Sequence, residues 1–378
     1  MKEKRTFDVI IIGGGLAGLT SAIHLSKYQK QVLLIEKNEY PKHKVCGEYI
    51  SNEILPYLKS LGIDPIAHGG KQISKIQITT TKSNLIEGDL PLGGFGMSRY
   101  CLDSVLAKQA ILNGVTILQD SVESVDFNEE LFTVQTKKHT IFKSKITIGA
   151  FGKRSSLDVK MNREFILKKS PYLAVKTHVK GEFPEDLVAL HNFKGGYCGV
   201  SKVENDSINV CYITSYDSFK NYKNIEEFQE QVVFKNNHLK KIFEESKAVF
   251  EKPLTISQVS FETKNPVENH IIMCGDTAGM IHPLCGNGMA MAIKSAQLAS
   301  VRILQFLNGE IKTREGLEKS YLRDWNKEFK KRLRVGHFIA WLFRNKTISE
   351  IAYSTLKRLP SLLPIIIKKT HGKTMSPE

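Results

Sequence analysis

Gly13, Gly15 and Gly18 stand at G-x-G-x-x-G spacing directly after the apolar run Val9-Ile10-Ile11-Ile12, and Glu36 closes the next apolar run, Val32-Leu33-Leu34-Ile35. A strand, a glycine turn, a helix and an acid at the end of a second strand make a dinucleotide site. Gly13 permits the tight turn, Gly15 lets the backbone approach a pyrophosphate, and Gly18 lets the helix pack closely on the strand. Leu16 and Ala17 open that helix, whose leading N–H groups and positive dipole end suit phosphates. Glu36, followed by Lys37, can accept hydrogen bonds from an adenosine ribose.

A second set of residues lies far downstream. The run Ile271-Ile272-Met273-Cys274-Gly275-Asp276 delivers a carboxylate to the end of a strand, where it can bind a ribityl or ribose hydroxyl. Pro283 and Gly286-Asn287-Gly288-Met289 follow. The glycines let the backbone approach a flat ring system, and a helix starting at Gly288 aims its positive end at that ring. Such an end stabilises the negative charge that a flavin acquires at N1–O2 on reduction. The glycine turn alone serves NAD as well as FAD, and the distant Gly-Asp segment tips the choice to FAD.

Two residues are candidates for catalysis. Cys46, after the second strand, puts a thiol beside the flavin ring, where it tunes the flavin, donates a proton or simply permits close packing. His282, just before Pro283, is either a general acid that also orients substrate or a loop histidine bonded to a neighbouring carbonyl. Glu48 and Tyr49 are candidates for the substrate cavity wall, with a structural hydrogen bond as the other role for Glu48. The remaining cysteines (Cys101, Cys198, Cys211, Cys274, Cys285) read as core or loop fillers. With no C-x-x-C pair and no His/Cys cluster at zinc spacing, no metal site is expected.

The elements that must position these residues are legible as a pattern. Residues 52–61 read as a helix stopped by Gly62, residues 72–86 alternate as a strand, and residues 102–113 form a helix ended by Gly114. Strands follow at 115–118, 122–127, 132–136 and 145–149, with a hairpin turn at 128–130. From about residue 172 to 261, strands at 173–179, 188–193, 197–203 and 207–214 surround one helical stretch, 225–245. A buried strand at 270–274 and a long helix from Gly288 return to the nucleotide unit. The expected fold class is α/β. It has a Rossmann-type FAD-binding domain (residues 1–71, 97–158 and 265–307) and an inserted antiparallel β-sheet substrate domain (72–96 and 159–264). A basic helical C-terminal tail follows (308–378).

These motifs resemble the flavoprotein superfamily that includes para-hydroxybenzoate hydroxylase and the geranylgeranyl reductases, over residues 8 to about 307. The resemblance implies that Asp276 contacts the ribityl chain, that Arg99 in Met97-Ser98-Arg99 sits by the pyrophosphate or ribose, and that Val122 with Ser121 lines the adenine. Cys46-Gly47 and Gly275–Met289 look like the reductase branch, as does Gly195-Gly196-Tyr197, with Glu48 where a glycine is common. Phe151 stands where the hydroxylases carry an acid that serves both FAD and the nicotinamide donor, a departure that counts against NAD(P)H as the direct reductant and leaves the electron source open, with NAD(P)H one candidate. Flavin-dependent halogenases share the scaffold, but their Trp-x-Trp-x-Ile-Pro helix is missing. The expected function is an FAD-dependent oxidoreductase, first a monooxygenase acting on a small lipophilic or aromatic substrate through a flavin C4a-hydroperoxide. The alternatives are a reductase of carbon–carbon double bonds in a prenyl lipid, in which Cys46 or a water supplies the proton, and a non-enzymatic flavin carrier.

The bulk numbers agree with that class. The 378 residues suit two domains, and 41% hydrophobic with 25% charged content is ordinary for a globular protein. Apolar runs are too short for a membrane span, and scattered cysteines suit a reducing, cytoplasmic setting. Net charge is +15, and residues 312–373 hold 16 Lys/Arg against 5 Asp/Glu, so +11 of it lies in the tail. No nucleic-acid motif accompanies that charge. In the tail, Val335, Phe338, Ile339, Leu342 and Phe343 share one helical face, flanked by Arg332, Arg334, Arg344 and Lys346. Such a face either touches an anionic membrane or packs on its own domain as a lid.

Overall fold

Strand β1 (Thr6–Ile12), helix α1 (Leu16–Lys27) and strand β2 (Val32–Glu36) open the chain, and both apolar runs are buried on both faces, as a covered parallel sheet requires. The computed structural model describes residues 5–168, 171–344, 346–359 and 361–377. After β3 (Tyr49–Ser51) and α2 (Leu55–Ser60) come the long pair β4 (Lys71–Thr79) and β5 (Leu85–Gly96). Helix α3 (Arg99–Leu112) begins three residues earlier than its apolar pattern suggests, because Ser98 Oγ accepts from Cys101 N at 3.0 Å and caps it. Strands β6 (Thr116–Gln119), β7 (Val122–Asn128), β8 (Leu131–Thr136) and β9 (Ile141–Gly149) precede the short helix α4 (Ser156–Lys160).

The texture then changes to strands β10 (Tyr172–Lys180), β11 (Leu187–Phe193), β12 (Gly196–Lys202) and β13 (Ile208–Ser215). Helices α5 (Tyr216–Phe219), α6 (Ile225–Gln231) and α7 (Asn237–Glu245) follow. The single helix expected over 225–245 is thus two. Asn236 breaks it: its Oδ1 caps α7 through His238 N, while its Nδ2 donates to Thr79 Oγ1 and Asn192 O in the sheet below. Strands β14 (Lys247–Ala248), β15 (Leu254–Val259), β16 (Val267–Glu268) and β17 (Ile271–Met273) lead into helices α8 (Gly288–Leu307), α9 (Arg314–Arg344), α10 (Lys346–Arg358) and α11 (Leu362–Thr370).

Two sheets result. The first runs β16-β17-β9-β1-β2-β6, parallel from β17 to β6, with the β7–β8 hairpin paired antiparallel to β9. Its β1 places Val9 and Ile11 against α1, α3, α8 and α9, while Ile10 and Ile12 face a second cluster with Val122, Val134 and Leu157. The second sheet runs β14-β10-β13-β12-β11-β4-β5-β3 and is antiparallel except for the parallel pair β4 and β11. The C-terminal ends of β1, β9 and β17 lie side by side, which is where open α/β sheets bind ligands.

Close packing fixes the first turn of α1. A Cβ on Gly18 would lie 1.9 Å from Gly13 O, and one on Gly13 would meet Ala150 O at 2.3 Å. Gly18→Ala is expected to cost about 3 kcal/mol or more, because the overlap is with backbone rather than a mobile side chain. Urea denaturation of the variant measures the loss, and a cost within experimental error of zero would contradict this packing.

Candidate active site

Helix α1 starts at Leu16 with Gly15 as its N-cap and no side chain capping it, so its leading N–H groups are left for a ligand. Gly15 has room: a Cβ there would come no closer than 3.6 Å, to Arg99 Nη2. Glu36 stitches the second strand to the turn, because its carboxylate accepts from Gly14 N at 2.7 Å and from Asn38 N at 3.0 Å. Tyr40 OH donates to Gly14 O at 2.6 Å on the same turn. Lys37 is exposed beside it, and Val122 turns its side chain into the second core cluster.

Arg99, the first residue of α3, reaches over this turn and is held by a bidentate pair with Asp103, Nε–Oδ1 at 2.7 Å and Nη2–Oδ2 at 2.8 Å. Lys44 Nζ donates to the same carboxylate at 2.7 Å. Burial pushes the Asp103 carboxyl up, but Arg99 and Lys44 more than offset it and hold it below the usual carboxylate range.

The ends of β9 and β17 form the opposite rim. Gly152 N donates to Thr277 Oγ1 at 2.8 Å, and the buried Lys264 Nζ donates to Lys153 O at 2.8 Å and Asp276 O at 2.7 Å, which sews the two exit loops together. Burial pushes the Lys264 ammonium down to about 8. Phe151 takes the position where the hydroxylases carry an acid, and its ring packs over Gly149 beside Met273. Helix α8 begins after Gly286, which adopts φ +63°, and Asn287 caps it without a side-chain bond, its buried Oδ1 lacking a partner.

These elements enclose one cavity of about 370 Å³. Gly15, Leu16, Ala17, Arg99, Gly275 and Asp276 line one end, together with Cys46, Gly47, Pro283, Gly286, Gly288 and Met289. Gly13, Gly18, Glu36 and Asn287 support that wall from behind. Cys46 Sγ lies 3.5 Å from Met289 Sδ. His282 lies outside the wall: its Nδ1 accepts from Leu284 N at 3.4 Å, and its ring sits in a nest of Phe261, Tyr172 and Tyr197.

The other end of the cavity is apolar and roofed by the tail. Ile76, Leu90, Val188 and Leu190 of the second sheet face Ile339, Leu356, Leu363 and Ile367 of the C-terminal helices. The inward stripe of α9 runs through Arg332, Gly336 and Ile339, because a Cβ on Gly336 would already stand 3.0 Å from Ile281. Arg332 is therefore buried against Glu53 and Glu328 rather than flanking an outer face. Phe338 turns out to solvent, 58% exposed, stacked on Trp341. The side chains of Leu342, Phe343, Arg344 and Lys346 lie outside the described residues.

The model of the FAD binding domain family matches residues 6–324. The chain belongs to that family. It is an FAD-dependent oxidoreductase. Among curated relatives, a digeranylgeranylglycerophospholipid reductase of Thermoplasma volcanium is 24% identical, with 95% of this chain and 91% of the relative covered. Conditioned medium factor receptor 1 of Dictyostelium discoideum is 21% identical, covering 86% of this chain and 69% of the relative. Among solved structures, a flavin-dependent brominase superposes with a TM-score of 0.80 at 20% identity, covering 97% and 93% of the two chains. A probable FAD-dependent monooxygenase from Pseudomonas aeruginosa gives 0.74 at 13% identity, covering 92% and 100%. At these identities the structures share the fold.

The residues present fit the cofactor. A Cβ on Gly47, Gly152 or Gly288 would meet nothing within 4 Å, so backbone is left bare along the rim where a flat, phosphate-bearing molecule must approach. The uncapped starts of α1 and α8 supply N–H donors at two points of the same cavity.

Sequence reasoning missed the groups that hold the wall: Asp103 behind Arg99, Lys264 behind Asp276, and Lys176 and His178 behind Glu48. Lys176 and His178 share the Ala174 face of β10, opposite to Val175 and Val179, so two charged-type residues on one side of an apolar strand were the available signal.

Asp103→Asn removes the charge that orients Arg99, and the FAD dissociation constant is expected to rise about tenfold, roughly 1.4 kcal/mol. Because the folded-state pKa of Asp103 is depressed, its contribution is present above the unfolded value near 4 and is lost only as pH falls through the lower folded value. Flavin retention in the wild type is thus expected to hold through pH 5, and the variant's weakened binding to be the same at pH 5 and pH 8. Fluorescence titration of released FAD checks both.

Proposed function

We propose that this chain is a monooxygenase that hydroxylates a lipophilic substrate, with its FAD at the glycine-lined end of the cavity and the substrate under the C-terminal helices. The observation that carries the substrate class is the asymmetry of that one cavity: charged and backbone polar groups at one end, and branched aliphatic side chains from β4, β5, β11, α10 and α11 at the other. Such a wall gains about 0.8 kcal/mol for each buried methylene and offers little to a small charged ligand.

FAD, when bound, supplies two-electron redox chemistry, and in its reduced form it reacts with dioxygen. The protein's part is position and environment. Gly15 and the start of α1, with Arg99, would hold the phosphates, and Asp276 would take a ribityl hydroxyl. The start of α8 would stabilise negative charge on the reduced ring. Cys46 and Gly47 form the edge of the ring site, and His282 keeps the Pro283 turn in shape. The roof of α10 and α11 excludes water from the reacting end. NAD(P)H is the proposed donor of electrons.

A second reading, reduction of double bonds in a prenyl chain, is favoured by the near-complete overlap with the Thermoplasma volcanium reductase. The same apolar wall suits it. Substrate-stimulated NAD(P)H oxidation, followed with and without oxygen, separates the two. Dependence on oxygen supports hydroxylation, and turnover in its absence overturns it in favour of reduction. Val188→Trp fills the apolar end, and it is expected to raise KM about tenfold or more while leaving FAD affinity unchanged.

The roof also supports a peripheral membrane contact. No helix among the described residues is long and apolar enough to cross a membrane. The outer side of the roof carries Phe338, Trp341 and Ile365 with Lys368 and Lys369 at the end of α11. These residues suit an anionic bilayer from which a lipophilic substrate enters. Co-sedimentation with phosphatidylglycerol vesicles is expected to fall several-fold in the Phe338→Ser/Trp341→Ser double variant, and equal binding of both proteins would contradict the contact.

A further inference from the structure

The loop from Lys44 to Glu48 carries Cys46 and Gly47 into the cavity wall, and side chains of the second sheet grip its backbone. Lys176 Nζ donates to Lys44 O at 3.3 Å, and Asn209 Nδ2 donates to Cys46 O at 3.3 Å and Gly47 O at 2.8 Å. The register sets His178 opposite Asn209 and Lys176 opposite Cys211, so these donors form one patch on β10 and β13. Glu48 completes the grip from the loop's side. Its Oε1 accepts from Lys176 Nζ at 2.5 Å and from Arg99 N at 2.8 Å, and its Oε2 meets His178 Nε2 at 2.7 Å.

Glu48 is an expensive residue for this place. It has φ +55°, a left-handed conformation that glycine adopts without a Cβ penalty. Its side chain and that of Lys176 are fully buried, with 0% exposed. A buried ion pair is weak grounds for stability, since well-packed apolar side chains of similar volume do as well or better. Glycine would satisfy the backbone, and an apolar pair would satisfy the core. What neither could do is join the cavity loop, the first turn of α3 and strand β10 at one point.

We infer that Glu48 is a positioning residue for the flavin-facing edge of the cavity, its carboxylate fixing Cys46-Gly47 and the Arg99 turn in register with the substrate-bearing sheet. This rests on the FAD site proposed above. The carboxylate acts through Arg99 and the loop backbone: Arg99 N on one oxygen sets where α3 begins, and the sheet donors set how far the loop leans into the cavity.

The test separates positioning from folding. Glu48→Gln and Lys176→Met each leave one buried charge without its partner and are expected to lower Tm. The double variant removes both charges and is expected to recover Tm close to that of the wild type. Its FAD dissociation constant is expected to stay about tenfold raised, and the visible circular dichroism of the bound flavin to stay altered. Asn209→Leu removes the backbone grip without touching a charge, and it is expected to move the same two readouts in the same direction. Glu48→Asp, which keeps the charge on a shorter arm, is expected to fall between wild type and Glu48→Gln. Wild-type FAD affinity and dichroism in the double variant, or in Asn209→Leu, would overturn the positioning role and leave the cluster a folding device. A wild-type chain that binds no FAD overturns the cofactor reading itself, a result distinct from either.

Discussion

Two sheets of different construction must meet along one ligand, and the meeting depends on a charge held where water cannot reach it. Glu48 is ionised inside the junction because the pull of His178 and Lys176 outweighs the burial that would otherwise raise its carboxyl. One side of the junction is the parallel sheet with its glycine turn, and the other is the sheet that carries the apolar wall. Arg99 N is bonded to this carboxylate, and Asn209, across the strand pair from His178, holds the carbonyls of the adjoining Cys46 and Gly47. The same device recurs at lower stakes elsewhere on the rim: Asp103 holds Arg99, and Lys264 holds the exit loops of β9 and β17.

The cavity then explains the tail. Helix α11 inserts Leu363 and Ile367 into a cluster with Ile73, Ile76, Ile86 and Val188, and so closes a space that the second sheet leaves open. The segment after α11 is tied down on the nucleotide side. Met375 N donates to Glu53 O at 2.7 Å, Gly372 N donates to the Glu53 carboxylate, and Gln297 Nε2 donates to Ser376 O at 2.9 Å. Glu53 is also within 3.6 Å of Arg332 on α9. The roof is thus anchored at both ends, and the basic character of the tail divides into buried cations that anchor it and exposed ones that face outward.

Much of the nucleotide half was legible in the sequence, because its constraints are local. A strand that must turn tightly at Gly13 and pack a helix at Gly18 leaves a fixed spacing, and Asp276 follows a strand whose apolar run is unbroken. The second sheet was legible as alternating strands, but the parallel pairing of β4 with β11 was not, since nothing local records which distant strand lies beside which. The continuous helix read over 225–245 failed because Asn236 answers to Thr79 and Asn192, both far away in the chain. The outward turn of Phe338 escaped for a similar reason: the helical face is set by Gly336 meeting Ile281. Glu48 was visible as a departure from a glycine, yet its partners, Lys176, His178 and Arg99 N, come together only in three dimensions.

One continuous cavity joins the glycine-lined end proposed for the flavin to an apolar end under the tail. Its most direct test is the affinity of the FAD-loaded protein for a homologous series of alkyl-substituted aromatic compounds, read from the perturbation of the flavin spectrum. Each added methylene is expected to tighten binding about two- to fourfold, consistent with about 0.8 kcal/mol per buried CH₂ at most, until the apolar end is filled. Affinities that do not change with chain length, or a flavin spectrum that never responds, would contradict it.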